Sequence, residues 1–156
     1  MRFLPHRPGW TIVFDKVLVV CIGNICRSPT AEYLLRERLR GRATTVDSAG
    51  LAALEGKPID PLAGALLAER GIDASPHRAR QLDKAAIVAA DLILVMQRTH
   101  LDSLARYSPH AVGRTFLLGK WQGDRDIPDP YRKSRDAFEH AYRLIEEGVD
   151  AWQKHL

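Results

Sequence analysis

Uninterrupted apolar runs, rather than alternating ones, mark the main strands of this chain. Val17 to Val20 are apolar throughout and so are Leu92 to Met96, as strands covered on both faces are. Thr44 to Ser48, ending at Ala49-Gly50, and Thr115 to Leu118 read as two shorter strands. Between them the apolar positions recur at helical spacing. Ala31, Leu34, Leu35 and Leu39 form one stripe, with arginines and glutamates on the opposite face and Gly41 at its end. Leu62, Ala65 and Leu66 form a second, opened by Asp60-Pro61 and stopped at Gly71. Leu82 to Ala90 predicts a further helix, and Thr99 is placed to cap another through Leu101, Leu104 and Ala105. The clearest stripe is the last, Phe138, Ala141, Tyr142, Ile145, Val149 and Trp152, weakened locally by Gly148. Ile72 to Arg80 and Gly119 to Arg132 read as irregular.

Strands separated by helices predict an α/β fold: one domain over residues 16–156, with a four-stranded parallel sheet and helices on both faces. Residues 1–15 read as an arm, with Ile12 to Phe14 extending the first strand outward and Met1 to Gly9 flexible. In an open parallel sheet, sites gather at the carboxyl ends of the strands near the point where strand order reverses. The loop after the first strand lies there.

That loop is Cys21-Ile22-Gly23-Asn24-Ile25-Cys26-Arg27-Ser28-Pro29. Ser28 is a favoured N-cap, and Pro29 suits a first helical position. A loop between strand and helix can turn successive N–H groups inward, and Gly23 supplies the freedom for it. A thiol facing such a nest, a helix N-terminus and a guanidinium ionises far more readily than a free one. Arg27 can grip two oxygens of a phosphoryl group, a task lysine does poorly. Ser28 can donate its hydroxyl to the thiolate. A plainer use of the same residues is an inert buried Cys21, an N-capping Ser28 and a surface Arg27. The catalytic use requires the sulfur to be reachable from solvent.

Composition narrows the setting. At 156 residues the chain suits one core, and no apolar run approaches the roughly 20 residues that span a bilayer. The N-terminal apolar patches are too broken for a signal peptide. Two cysteines in one loop make no disulfide framework and point to reactive thiols in a reducing cytoplasm. A net charge of +4 suits an acidic or phosphorylated partner. Nucleic acid fits less well, because the basic residues are dispersed and no nucleic-acid motif accompanies them. The histidines show no paired ligand spacing, so neither metal nor other cofactor is expected.

The loop closely resembles the phosphate loop of the low-molecular-weight protein tyrosine phosphatases. The resemblance implies Cys21 as nucleophile, Arg27 as phosphate clamp, and the backbone of Ile22 to Cys26 with Ser28 around the phosphate. Ile127-Pro128-Asp129-Pro130-Tyr131 resembles the family's acid loop, which makes Asp129 the general acid and leaves Asp124 and Asp126 as solvated carboxylates. In the family the loop asparagine, here Asn24, anchors a buried network whose other members match Ser48 and His77. The second loop cysteine, here Cys26, can form a reversible disulfide with the nucleophile; its plainer use is as a small buried filler. Tyr131 and one of Leu51 or Leu54 are the expected walls for an aromatic ring. Arg132, Lys133 and Arg135 either attract acidic substrate segments or form a solvated face.

Leu51-Ala52-Ala53-Leu54 resembles the bacterial branch, whose members often act on tyrosine autokinases controlling capsule or exopolysaccharide export. The implied activity is hydrolysis of phosphotyrosine in proteins, with inorganic phosphate as product. Three rivals stand beside it. Arsenate reductases of this fold need further cysteines, and none follows Cys26. Protein-arginine phosphatases place threonine where Ile25 stands. A non-catalytic phosphate-binding module would have no use for Cys21, Arg27 and Asp129 together.

Overall fold

Strand β3 (Lys16–Cys21) takes the centre of a sheet because its side chains are apolar on both faces. Val17, Val19 and Cys21 join one buried cluster, while Leu18 and Val20 join another. The computed structural model describes residues 2–5 and 10–156, with side chains from Phe14 onward. Its main sheet consists of β3, β4 (Thr45–Gly50), β5 (Leu92–Val95) and β6 (Thr115–Leu117), all parallel, in the order β4-β3-β5-β6. The chain thus moves from β3 to one side, then crosses back over it to β5. That reversal opens a crevice at the carboxyl ends of β3 and β5.

Helices cover both faces. The first cluster takes in residues of α1 (Arg27–Arg38), α2 (Pro61–Ala68) and α5 (Arg135–Gln153). The second takes in Ile87 of α3 (Lys84–Ala89) and Leu104 of α4 (Arg98–Tyr107). Asp60 caps α2 as its sequence predicts, accepting from Leu62 N at 2.9 Å. Among the described residues, no helix is long and apolar enough to cross a membrane.

Several boundaries differ from the sequence expectation, each for a local reason. Helix α3 starts only at Lys84, because the Asp83 carboxylate caps Ala86 N at 2.8 Å. Gln97, not Thr99, holds the N-cap position of α4, and Thr99 lies inside its first turn. Pro109–Arg114 forms a 3₁₀ turn before β6, and Lys120–Gln122 forms another within the expected polar loop. At the N-terminus, Trp10–Val13 (β2) does not extend β3. It pairs antiparallel with Arg2–Pro5 (β1) in a separate two-stranded sheet. The flexibility expected of this arm falls in part on Met1 and His6 to Gly9, outside the described residues.

Gly148 is not the weak point in α5 that helix propensity suggests. A Cβ there would lie 2.8 Å from Leu118 Cγ and 2.9 Å from Leu118 O, so its absence lets α5 approach the end of β6. Gly148→Ala is therefore expected to destabilise the protein by about 1–3 kcal/mol through overpacking, against the ~1 kcal/mol gain that an exposed helix position would give. Urea unfolding of the variant measures which sign prevails.

Candidate active site

The carbonyls of the loop after β3 are each held from outside. Cys21 O accepts from Leu51 N at 2.9 Å, Ile22 O from Ala52 N at 2.9 Å, Gly23 O from Leu54 N at 3.0 Å and Ile25 O from Asp60 N at 2.8 Å. Asn24 O is bonded by His77 Nε2 at 2.7 Å, and Cys26 O accepts from Thr30 N at 3.2 Å. Among the described residues, none of the amides of Ile22 to Ser28 donates to a protein acceptor. With the carbonyls fixed outward, these N–H groups are left for an anion at the N-terminus of α1. The approach depends on Gly50, where any Cβ would collide with Ile22 O.

Asn24 shapes the turn in a left-handed conformation, with φ 59°. Its side-chain orientation follows from Arg80 N, which can only donate and does so to Oδ1 at 2.9 Å. Nδ2 then donates to Ser28 Oγ at 2.8 Å and to Ser48 Oγ at 2.9 Å. Ser28, with its oxygen already accepting, is free to direct its hydroxyl hydrogen at Cys21 Sγ, 2.9 Å away. Ser48 in turn donates to the Glu32 carboxylate. Ser28 is therefore not the N-cap that its position predicts. Cys26 occupies that place without a side-chain cap bond, and Pro29 lies deeper in the first turn.

Glu32 also departs from its expected exposed face. It is buried, bonded to Ser48, paired with Arg36 and 4.0 Å from His77 Nδ1. Burial raises its pKa, against the lowering by Ser48 and Arg36. The chain from Cys21 through Ser28, Asn24 and Ser48 thus ends in a buried carboxylate.

Arg27 is 2% exposed, and its guanidinium is fixed from behind. Nη1 donates to Gln97 Oε1 and to Ile127 O, each at 2.8 Å. Nη2 faces the Asp129 carboxylate at 3.6 Å. Asp129 Oδ1 also accepts from Tyr131 N at 3.1 Å, closing a turn at the start of the acid loop. An open cleft is lined by Cys21 to Arg27, Ala52, Leu54, Asp129 and Tyr131. Cys21 is only 3% exposed, yet it lines this open cleft, which is the access that the catalytic reading requires.

The structure brings most of the sequence-selected residues together and separates a few. Leu54 and Tyr131 line the cleft, whereas Leu51 packs on the second core cluster, and Ala52 takes the place on the wall. Asp126 accepts from Arg98 N at 2.9 Å and does not line the cleft; nor does Asp124. Cys26 is a free thiol, and burial pushes its pKa up, with the Asp60 carboxylate adding to the effect. Among the described residues, no three His, Cys, Asp or Glu side chains gather closely enough to hold a metal ion.

Sequence reading missed Gln97, the Ile127 carbonyl, Glu32 and Arg80. Gln97 lies two residues after the end of β5, at the carboxyl end of the sheet where partners for Arg27 are to be sought. A backbone carbonyl such as Ile127 O leaves no sequence signal at all.

His100 was also missed. It is 2% exposed, and among the described residues its Nδ1 finds no hydrogen-bond partner. Burial, aided by the charge of Arg27, pulls its pKa down to about 4. The folded state therefore favours the neutral ring. That contribution to stability is complete above the ordinary histidine pKa near 6.5 and is lost as pH falls towards the folded value. Urea unfolding of wild type and His100→Asn between pH 7 and pH 4 should show a steeper loss of stability in the wild type. Parallel profiles would place the acid sensitivity in other groups.

Comparison with known proteins places the chain. Residues 16–156 match the model of the low molecular weight phosphotyrosine protein phosphatase family. The low molecular weight protein-tyrosine-phosphatase Wzb of Salmonella typhimurium is 45% identical over 144 residues, covering 92% of this chain and 95% of that protein. The structure of Vibrio vulnificus Wzb in complex with benzylphosphonate superposes with a TM-score of 0.88 at 48% identity, over 92% of this chain and all (100%) of that one. The YwlE arginine phosphatase of Geobacillus stearothermophilus superposes with a TM-score of 0.83 at 36% identity, over 90% of this chain and 91% of that one. With its phosphate loop, parallel sheet and near-complete coverage, this chain belongs to the low molecular weight phosphotyrosine protein phosphatase family.

Proposed function

We propose that this phosphatase hydrolyses phosphotyrosine in proteins through a phosphocysteine at Cys21. The observation that carries the reading is that Cys21, Arg27 and Asp129 line one cleft, with the guanidinium fixed beside the carboxylate. In the first step the Cys21 thiolate attacks phosphorus, the phosphorus–oxygen bond to tyrosine breaks, and Asp129 gives its proton to the departing phenolate. In the second step Asp129 takes a proton from water, whose oxygen attacks phosphorus and releases inorganic phosphate and the thiolate. Arg27 and the loop amides hold the remaining oxygens throughout. Asn24, Ser48 and His77 shape the loop and do no chemistry.

The walls favour an aryl ester. Ile22, Ile25, Leu54 and Tyr131 give the cleft an apolar lining around a polar floor. A relative's structure holds benzylphosphonate, a benzyl group carrying a phosphonate. Phosphoarginine is the rival suggested by the YwlE relative. Ile25 offers its guanidinium no hydrogen-bond partner and suits an aromatic ring better. By its resemblance to the bacterial branch the partner is assigned as a tyrosine autokinase of capsule or exopolysaccharide export, and the two free cysteines suit a cytoplasmic setting. Cys26, next in the loop to Arg27, is assigned the protective disulfide with Cys21 under oxidation.

Two variants test the chemistry. Cys21→Ser is expected to abolish hydrolysis of p-nitrophenyl phosphate while still retaining phosphotyrosine proteins from a lysate; retained turnover would remove the phosphocysteine. Asp129→Asn is expected to slow phenyl phosphate by about 10²–10⁴-fold but p-nitrophenyl phosphate far less, because its leaving group needs little protonation. Equal slowing of both esters would move the acid elsewhere.

A further inference from the structure

The turn that carries the tyrosine wall of the cleft holds its next residue in a costly conformation. Lys133 N donates to Pro130 O at 2.9 Å, so Tyr131 and Arg132 are the central pair of a four-residue turn. Arg132 has φ 61°. Glycine or asparagine ordinarily takes the left-handed position of such a turn, and arginine there gains nothing for the backbone. What it gains is placement. Its guanidinium carbon lies 5.3 Å from the centroid of the Tyr131 ring, so the charge rides on a ring that lines the cleft.

The three basic residues after Tyr131 are not equivalent. Arg135 is neutralised by Glu69 at 2.5 Å and Glu139 at 2.9 Å, and its role is to tie α5 to the end of α2. Arg132 and Lys133 are exposed and make no ion pair with any described residue. The Tyr131 side of the cleft therefore carries two unpaired basic side chains next to its wall.

We infer that Arg132 and Lys133 are specificity-determining residues that select phosphotyrosines accompanied by a second anion on the same segment. The anion is a carboxylate or a further phosphotyrosine. This rests on the phosphotyrosine reading above and adds which phosphotyrosines are preferred. Exposed charges at a rim act mainly on encounter, so the preference weakens with salt.

The test compares kcat/KM, by phosphate release at low ionic strength, for three phosphotyrosine peptides. One is flanked by alanines, one by glutamates, and one by a non-hydrolysable phosphonate analogue of a second phosphotyrosine. Wild type is expected to favour one or both anionic peptides by about three- to tenfold, the factor that two exposed ion pairs supply. Preference for the glutamate peptide alone identifies the anion as carboxylate, and preference for the phosphonate peptide alone identifies it as phosphate. In Arg132→Gly combined with Lys133→Gln the ratio is expected to fall to near one, and glycine at 132 relieves the backbone rather than straining it. Arg135→Gln is expected to keep the wild-type ratio. A wild-type ratio near one overturns the inference, as does a double variant that keeps the preference or an Arg135→Gln that loses it equally. Failure to hydrolyse any of the three peptides would instead overturn the underlying phosphotyrosine reading.

Discussion

Carbonyls of the loop after β3 point away from the cleft because the segment after β4, the start of α2 and His77 each supply a donor to hold them there. Amide dipoles that converge on one point repel one another, and the loop alone has no reason to keep them so. Each outside hydrogen bond contributes only about 0.5–1.5 kcal/mol net, but together they offset that repulsion. The N–H groups are then oriented before any substrate arrives, so no reorganisation is needed when charge develops on the phosphoryl oxygens. The left-handed Asn24 and the bare Cα of Gly50 are the two backbone concessions that make the arrangement possible.

A similar arrangement links Arg27 to the loop of Asp129. Ile127 O accepts from Arg27, and two residues later Asp129 faces the other end of the same guanidinium. In the proposed mechanism this references the position of the acid to the group that holds the phosphate. Gln97, at the end of β5, fixes the guanidinium from a third direction. The loops after three of the four strands of the main sheet, β3, β5 and β6, therefore converge on one side chain, and the loop after β4 supplies donors to the phosphate loop and one wall of the cleft. This is what a reversal in strand order makes available in a parallel sheet.

Much of this was legible in the residues, and the reasons are uneven. Apolar runs located the strands because burial on both faces leaves no room for polar side chains. The loops of Cys21 and Asp129 could be picked out because the chemistry proposed for them admits few residue types. Ser28 misled, since a serine before a proline looks like a cap until a thiol and an asparagine are found on its hydroxyl. Glu32 misled because helical periodicity assigns a carboxylate to solvent, while Ser48, Arg36 and His77 supply partners from distant segments that no local pattern reveals. Leu51 and Leu54 could not be separated before the backbone pairing of their segment was known. Gly148 was read through helix propensity alone, whereas contact with Leu118 decides its value.

The central claim is that a phosphoryl group passes to the sulfur of Cys21 under the inward-facing amides. Rapid acid quenching of Asp129→Asn during turnover of p-nitrophenyl phosphate, followed by peptide mass spectrometry, tests it most directly. One phosphoryl group is expected on the peptide containing Cys21, and none when the phosphate ester is omitted. A phosphoryl group on another residue, or none during active turnover, would contradict it.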